Sequence, residues 1–268
     1  MLIVNDIDLN YASNTEIARL INLCAEHTCV IIRNQNLSAE REAEIVKMFP
    51  NPYVLFKPGS DQFSQSALDK DGYIGLVSEG SIAGHKDEML WHNESPHARP
   101  GSSVAWLYAE TGVEGSVTVW NNTIQAYKDI DEQTKERIKD LKVITFGNVN
   151  HSISRTEENY KNRKVYDNIP TPLVHTNHLG NTGIFLSLHQ FEKFEGMSRE
   201  ESLLIAEPLF DFITQDKYCY QHKWQDGDVS LSDQWLGVHK RLHFENMKTR
   251  RVHRATFDYP DQFNFLVM

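Results

Sequence analysis

The chain has 268 residues, 40% of them hydrophobic and 24% charged, which supplies a sizeable apolar core and excludes a disordered or fibrous protein. Its 27 Lys and Arg against 37 Asp and Glu give a formal charge of −10, so a phosphate backbone is repelled and no nucleic-acid partner is expected. Cys24, Cys29 and Cys219 are too few and too irregularly spaced for a disulfide framework or a Cys-rich zinc site.

The opening residues carry two acids, Asp6 and Asp8, and no basic or long apolar region, and no apolar run approaches the ~20 residues that span a bilayer. A cytoplasmic protein without a membrane partner is expected. Ile17, Leu20, Ile21 and Cys24 predict a helix over 14–26, capped by Asn14 or Thr15, and 28–33 reads as a buried strand. Ser38 opens a second helix with Ala39, Ala43, Val46 and Met48 on its apolar face, and Pro50 stops it.

From Asn51 to Pro100 periodicity gives way to Gly, Ser, Asp and Pro, the composition of long functional loops, and 72–90 and 151–170 are expected to act as lids. Strands are predicted at 103–109, 117–121, 143–146, 173–176, 184–188, 218–224, 229–232 and 250–258, with helices at 123–141 and 198–214. So many strands with Gly-marked turns predict a mainly β sandwich or jelly roll dressed with helices. No repeat or Ser/Pro-rich linker interrupts the chain, so one domain over 1–268 is expected.

Trp91-His92-Asn93-Glu94 places an imidazole and a carboxylate at i and i+2, which share one face of an extended segment and can hold one metal ion. Far downstream, His239 follows the run Gly227 to Trp235. Lys248 to Arg254 is the densest basic run, and on a strand Arg250, Val252 and Arg254 share one face while Arg251 and His253 take the other. Two guanidiniums on one buried face require an anion.

Together these residues resemble the Fe(II)- and 2-oxoglutarate-dependent oxygenases of the taurine dioxygenase type, including carbapenem synthase and clavaminate synthase. The family pattern of His-x-Asp/Glu, a distant His and an Arg about a dozen residues later is matched by His92, Glu94, His239 and Arg250. Similarity extends to the run Trp224 to Gln234, to Pro172 to Leu186 as a mid-domain hairpin and to Arg251 to Arg254 as a closing strand. Two departures stand out: Glu94 replaces the commoner Asp, and Glu114-Gly115-Ser116-Val117-Thr118 stands where relatives have Gly-Gly-x-Thr.

The resemblance implies a double-stranded β-helix (jelly roll) and a facial triad of His92, Glu94 and His239 on Fe(II). It further implies that Arg250 anchors the far carboxylate of the co-substrate 2-oxoglutarate, because a guanidinium offers two parallel hydrogen bonds. Arg254 would touch 2-oxoglutarate or a substrate carboxylate, or else pair with an acid, and Thr118 or Ser116 would supply a hydroxyl to the co-substrate. A small molecule and O₂ would be the other reactants, with hydroxylation, desaturation or cyclisation of an amino-acid derivative as the chemistry. His243 is the rival third ligand, and His175, His178 and the pair His85 and Glu88 are competing clusters. A zinc hydrolase using the same His/Glu/His set, or a jelly-roll module that only binds a dicarboxylate, are the alternative functions.

Overall fold

The computed structural model describes residues 1–56, 59, 66–79, 81, 84–94, 102–147, 164–165 and 170–260. Of the two expected lids, most of 151–170 and residues 80, 82 and 83 of the earlier one lie outside the described residues.

Period-two alternation builds the central layers. In β2 (Cys29–Ile32), Val30 and Ile32 pack with the N-terminal helices while Cys29 and Ile31 face the opposite way, so every residue of this strand is buried. It belongs to a six-stranded sheet ordered β1 (Leu2–Val4), β2, β14 (Val229–Asp233), β5 (Val104–Thr111), β16 (Arg251–Phe257) and β3 (Gly75–Val77). A four-stranded sheet of β13 (Cys219–Lys223), β6 (Val117–Asn121), β15 (His239–Arg241) and β4 (Met89–His92) faces it. Successive strands β4, β5, β6 and then β13, β14, β15, β16 alternate between the two sheets. That alternation is the double-stranded β-helix, as expected from the sequence.

Helix α1 (Asn14–His27) and helix α2 (Ala39–Val46) cover the outer face of the large sheet, burying Ile17, Leu20, Ile45 and Val46 against Trp106, Leu231 and Phe257. Between the sheets, Ile31, Ala109 and Val252 meet Trp120 and Trp224. Beyond the small sheet a second apolar cluster gathers Phe185, Trp235 and Leu236 under helix α5 (Arg199–Ile213). Strands β7 (Lys142–Gly147), β8 (Lys164–Val165), β9 (Thr171–Pro172) and β12 (Phe191–Phe194) form a further small sheet, and β10 (Val174–Thr176) pairs with β11 (Thr182–Ile184) as a hairpin.

Local chemistry accounts for the differences from the sequence expectations. Ser13, not Asn14 or Thr15, caps α1, because its hydroxyl accepts from Glu16 N–H while the Glu16 carboxylate accepts from Ser13 N–H, a reciprocal box. The expected helix 123–141 is two helices, α3 (Thr123–Asp129) and α4 (Glu132–Ile138). Asp131 accepts from Thr134 N–H and so starts a new helix where the first one ends. The expected strand 184–188 ends at Ile184, and Met48 lies past the end of α2 on the surface. Among the described residues no helix is long and apolar enough to cross a membrane.

Candidate active site

The pairing of β4 with β15 sets His92 directly opposite His239, and β15 pairs on its other side with β6, where Trp120 flanks His239. The two imidazole rings lie with centroids 4.3 Å apart. Glu94, two residues past His92, returns its carboxylate between them: Oε1 is 3.6 Å from His92 Nε2 and 3.4 Å from His239 Nε2. One ligand atom from each of the three lies within 4.8 Å of the others, and this is the group among the described residues that could hold a metal ion.

The segment is clamped by neutral amides. Asn93 N–H donates to Gln190 Oε1 and Gln190 Nε2 donates back to Asn93 O, while Asn93 Nδ2 reaches the carbonyls of Gln234 and Gly237. Glu94 N–H donates to Gln234 Oε1, and Gln234 Nε2 is spent on Ser232. The short polar stretch after β4 therefore has its backbone polar groups satisfied while its carboxylate stays aimed at the histidines. Sequence reading missed this clamp. Asn93 and Gln234 lie inside the runs it singled out, but both read there as spacers, and Gln190 carries no signal of its own.

His92 Nδ1 lies 2.7 Å from Leu90 O, and since a carbonyl only accepts, Nδ1 carries a proton and Nε2 is the nitrogen turned toward Glu94. Burial, followed by the nearby His92, lowers His239 to about 4, which leaves its imidazole neutral at physiological pH. Burial resists ionisation of Glu94, but the Arg254 charge, aided by the two neighbouring imidazoles, outweighs it and holds the carboxyl well below the usual range. Two imidazole nitrogens and one carboxylate oxygen that converge on one point are donors that fit one divalent transition-metal ion.

Arg254 takes the acid-pairing option left open by the sequence: Nη2 is 2.5 Å from Glu94 Oε2. Arg250 is buried, and its Nε and Nη1 have no hydrogen-bond partner. Its backbone is held by a close approach: at Gly112, with φ of +71°, a Cβ would lie 2.1 Å from the Thr249 carbonyl oxygen. Thr118 Oγ1 accepts from Trp224 Nε1 at 2.8 Å, whereas the buried Ser116 hydroxyl has no partner.

The rival residues sit elsewhere. His243 is half exposed and pairs with Glu245 at 3.0 Å. His175 on β10 stacks against Trp235, and His178 in the hairpin turn bonds Asn22. Glu88 pairs with Lys240, so it forms no cluster with His85. His253 faces away from Arg254, packed between Glu42 and Glu110, with Arg251 on the same side at Glu110.

Residues 3–256 match the family described as "Taurine catabolism dioxygenase TauD, TfdA family". An alpha-ketoglutarate-dependent 2,4-dichlorophenoxyacetate dioxygenase of Cupriavidus pinatubonensis is 22% identical over 266 residues, covering 94% of this chain and 92% of the relative. The solved structure of AAD-2 in complex with Mn(II) and N-oxalylglycine superposes with a TM-score of 0.74 at 22% identity, covering 97% of this chain and 96% of that one. A taurine dioxygenase from Burkholderia xenovorans gives a TM-score of 0.72 at 19% identity, covering 96% and 85%. With a match that runs through both sheets and every residue of the triad, the chain belongs to the TauD, TfdA family of dioxygenases.

Proposed function

We propose that this protein is an Fe(II)- and 2-oxoglutarate-dependent dioxygenase that oxidises a small molecule, with His92, Glu94 and His239 as the iron ligands and Arg250 as the anchor of the co-substrate. The observation that carries the reading is the joint one of a converged His/Glu/His set and, on the neighbouring sheet, a buried arginine with unsatisfied donors. Buried guanidinium N–H groups left without acceptors are costly, and a carboxylate is an anion that can accept from them. Relatives named for taurine and for 2,4-dichlorophenoxyacetate support a small-molecule prime substrate. In its finer form the reading is hydroxylation, desaturation or cyclisation of an amino-acid derivative.

Iron(II) together with 2-oxoglutarate supplies the oxygen activation, the co-substrate leaving as succinate and CO₂. The chain's own residues position and shield. Leu90 O fixes the tautomer of His92, burial keeps His239 neutral, and the amide clamp holds Glu94 in register. Arg254 bonds the Glu94 oxygen that points away from the histidines, which balances charge and leaves Oε1 to the metal side. Thr118, already an acceptor from Trp224, has its own O–H to donate, and the Ser116 hydroxyl is also open to a carboxylate.

The test is anaerobic. Adding 2-oxoglutarate to the Fe(II)-loaded protein should give a weak visible charge-transfer band and a higher unfolding temperature, because a ligand that binds only the folded state stabilises it. Succinate, lacking the keto group, should stabilise without colour, and zinc should give neither colour nor turnover. A folded, iron-loaded protein that stays colourless at saturating 2-oxoglutarate overturns the reading in favour of a zinc hydrolase or a dicarboxylate-binding module.

A further inference from the structure

We infer that Arg241 is a second cation of the co-substrate site, so that the far carboxylate of 2-oxoglutarate is held in the field of two guanidiniums, Arg250 and Arg241; this rests on the function proposed above. The placement follows from strand geometry. On β15, His239 and Arg241 are two residues apart and share one face, the face from which His239 reaches Glu94. Lys240 between them takes the opposite face, where it pairs with Glu88 and lies over the Trp91 ring. Arg241 is paired across the strands with Thr118, one of the two hydroxyl residues expected at the co-substrate.

Charge makes the case specific. Arg241 and Arg250 are both buried, and among the described residues neither forms a salt bridge with a carboxylate. Arg241 spends Nη1 on Leu242 O and Nη2 on the carbonyls of His85 and Asp87, leaving Nε without a partner. Arg250 leaves Nε and Nη1 without partners. The backbone places Arg250 at the same turn: Arg251 pairs with Thr111, and Gly112 packs on Thr249 and Arg250 at the start of the turn. That turn leads through Ser116 into β6, where Thr118 pairs with Arg241. Burial, and next the like charge of Arg241, lower Arg250 to about 9. The charge of the exposed Asp87 acts on Arg241, but its bond to the guanidinium is made by its backbone carbonyl. Two buried cations at one turn, beside strand residues that carry the Ser116 and Thr118 hydroxyls, are suited to a carboxylate. Because Arg241 also grips residues 85 and 87, the strand bearing His92 is tied to the same cation.

The experiment compares 2-oxoglutarate with 2-oxopentanoate, which has the same five carbons and keto acid but no far carboxylate, by titrating the anaerobic charge-transfer band of the Fe(II) protein. The native protein should prefer 2-oxoglutarate strongly. In Arg241→Met the concentration of 2-oxoglutarate needed for half the band should rise about tenfold or more, the size expected for a lost charge-assisted contact, while 2-oxopentanoate is little affected. Arg241→Gln, which keeps amide donors for the carbonyls but no charge, should behave like Arg241→Met and covers the case in which the methionine variant does not fold. Arg241→Lys should keep most of the preference. An unchanged preference in a folded uncharged variant, with both keto acids weakened equally, makes Arg241 only a tether and overturns the inference. A native protein that gives no band with either keto acid sinks the proposed function instead.

Discussion

Two glutamates, the partly buried Glu94 and the buried Glu42, sit on opposite sides of β16 and meet adjacent residues of that strand, yet their carboxyls are shifted in opposite directions. Glu94, on the inner side, bonds Arg254 and lies beside two histidines, and its carboxyl is driven well below the usual range. Glu42, on the helix side, bonds His253 at 2.5 Å and accepts from Trp106 Nε1 at 2.9 Å, and burial still pushes its carboxyl up. The difference lies in the partner. Arginine is a permanent cation, so Glu94 stays an anion whatever the pH of the cell, while histidine can give its proton away and shares the charge of Glu42 with it. The inner cluster is built to present a carboxylate to something else; the outer one is satisfied within itself and fastens α2 to the sheet.

The sharpest break of this comparison is to remove each acid. Glu94→Ala should abolish substrate oxidation, as should His92→Ala and His239→Ala, because two remaining donors lose both affinity and facial geometry, while the fold survives by circular dichroism. His243→Ala should keep its activity. Succinate release and Fe(II) binding measure both, and a His243 variant that loses iron while the His239 variant retains it would reverse the ligand assignment.

Next in size is the clamp. Gln234→Ala leaves Glu94 N–H without its acceptor and should lower iron affinity or activity about 10–100-fold, the usual cost of losing a group that orients a metal ligand. Full activity at limiting iron would show that the amide clamp is dispensable.

On the outer side, Glu42→Gln should leave turnover within a few-fold of native but cost about 1–3 kcal/mol of stability, read from urea unfolding, since a buried histidine loses its charged acceptor. A large loss of turnover with native stability would mean that the two clusters are coupled through β16.

The smallest expected effect is on pH dependence. Burial disfavours the imidazolium of His253, but the bonds and charges of Glu42 and Glu110 outweigh it and raise its pKa. The folded state then binds the proton more tightly than the unfolded one. Its stabilisation is complete below the ordinary imidazole value of about 6.5 and fades as pH rises through the raised folded value. Glu42, also raised, acts with the same sign in a lower window, above the ordinary carboxyl value. Stability should therefore decline with rising pH above about 6.5, by less than about 1.4 kcal/mol per pH unit for the one group, and His253→Gln should flatten that slope in unfolding curves taken across pH.

These two clusters also mark what could be read from sequence. The inner one was legible because its ligands obey a local rule, i and i+2 at His92 and Glu94, and because the later histidine and arginines resemble a known pattern. Strand 117–121 was legible in full as a run of β-branched and aromatic residues. Glu42 was not: it sits among Ala43, Ile45 and Val46 on a helix whose sequence marks it as a solvated acid, and only the sheet brings Trp106 and His253 to it. Strands β4 and β15 escaped for a related reason. At four and three residues they are too short to show alternation, and they are strands because each is paired with the other. Gln190 and Gln234 reveal their roles only when the chain has closed around Asn93.

The β4–β15 pairing also decides when in the life of the chain the metal can matter. His92 and Glu94 emerge early from the ribosome, but the third proposed donor, His239, lies far later in the chain on a strand paired between β4 and β6. Contacts so distant along the chain form late and slowly. Under the proposed assignment, a chain stalled before residue 239 would lack the third donor, and any stabilisation by iron would belong to the closed barrel, through the strand that carries His239.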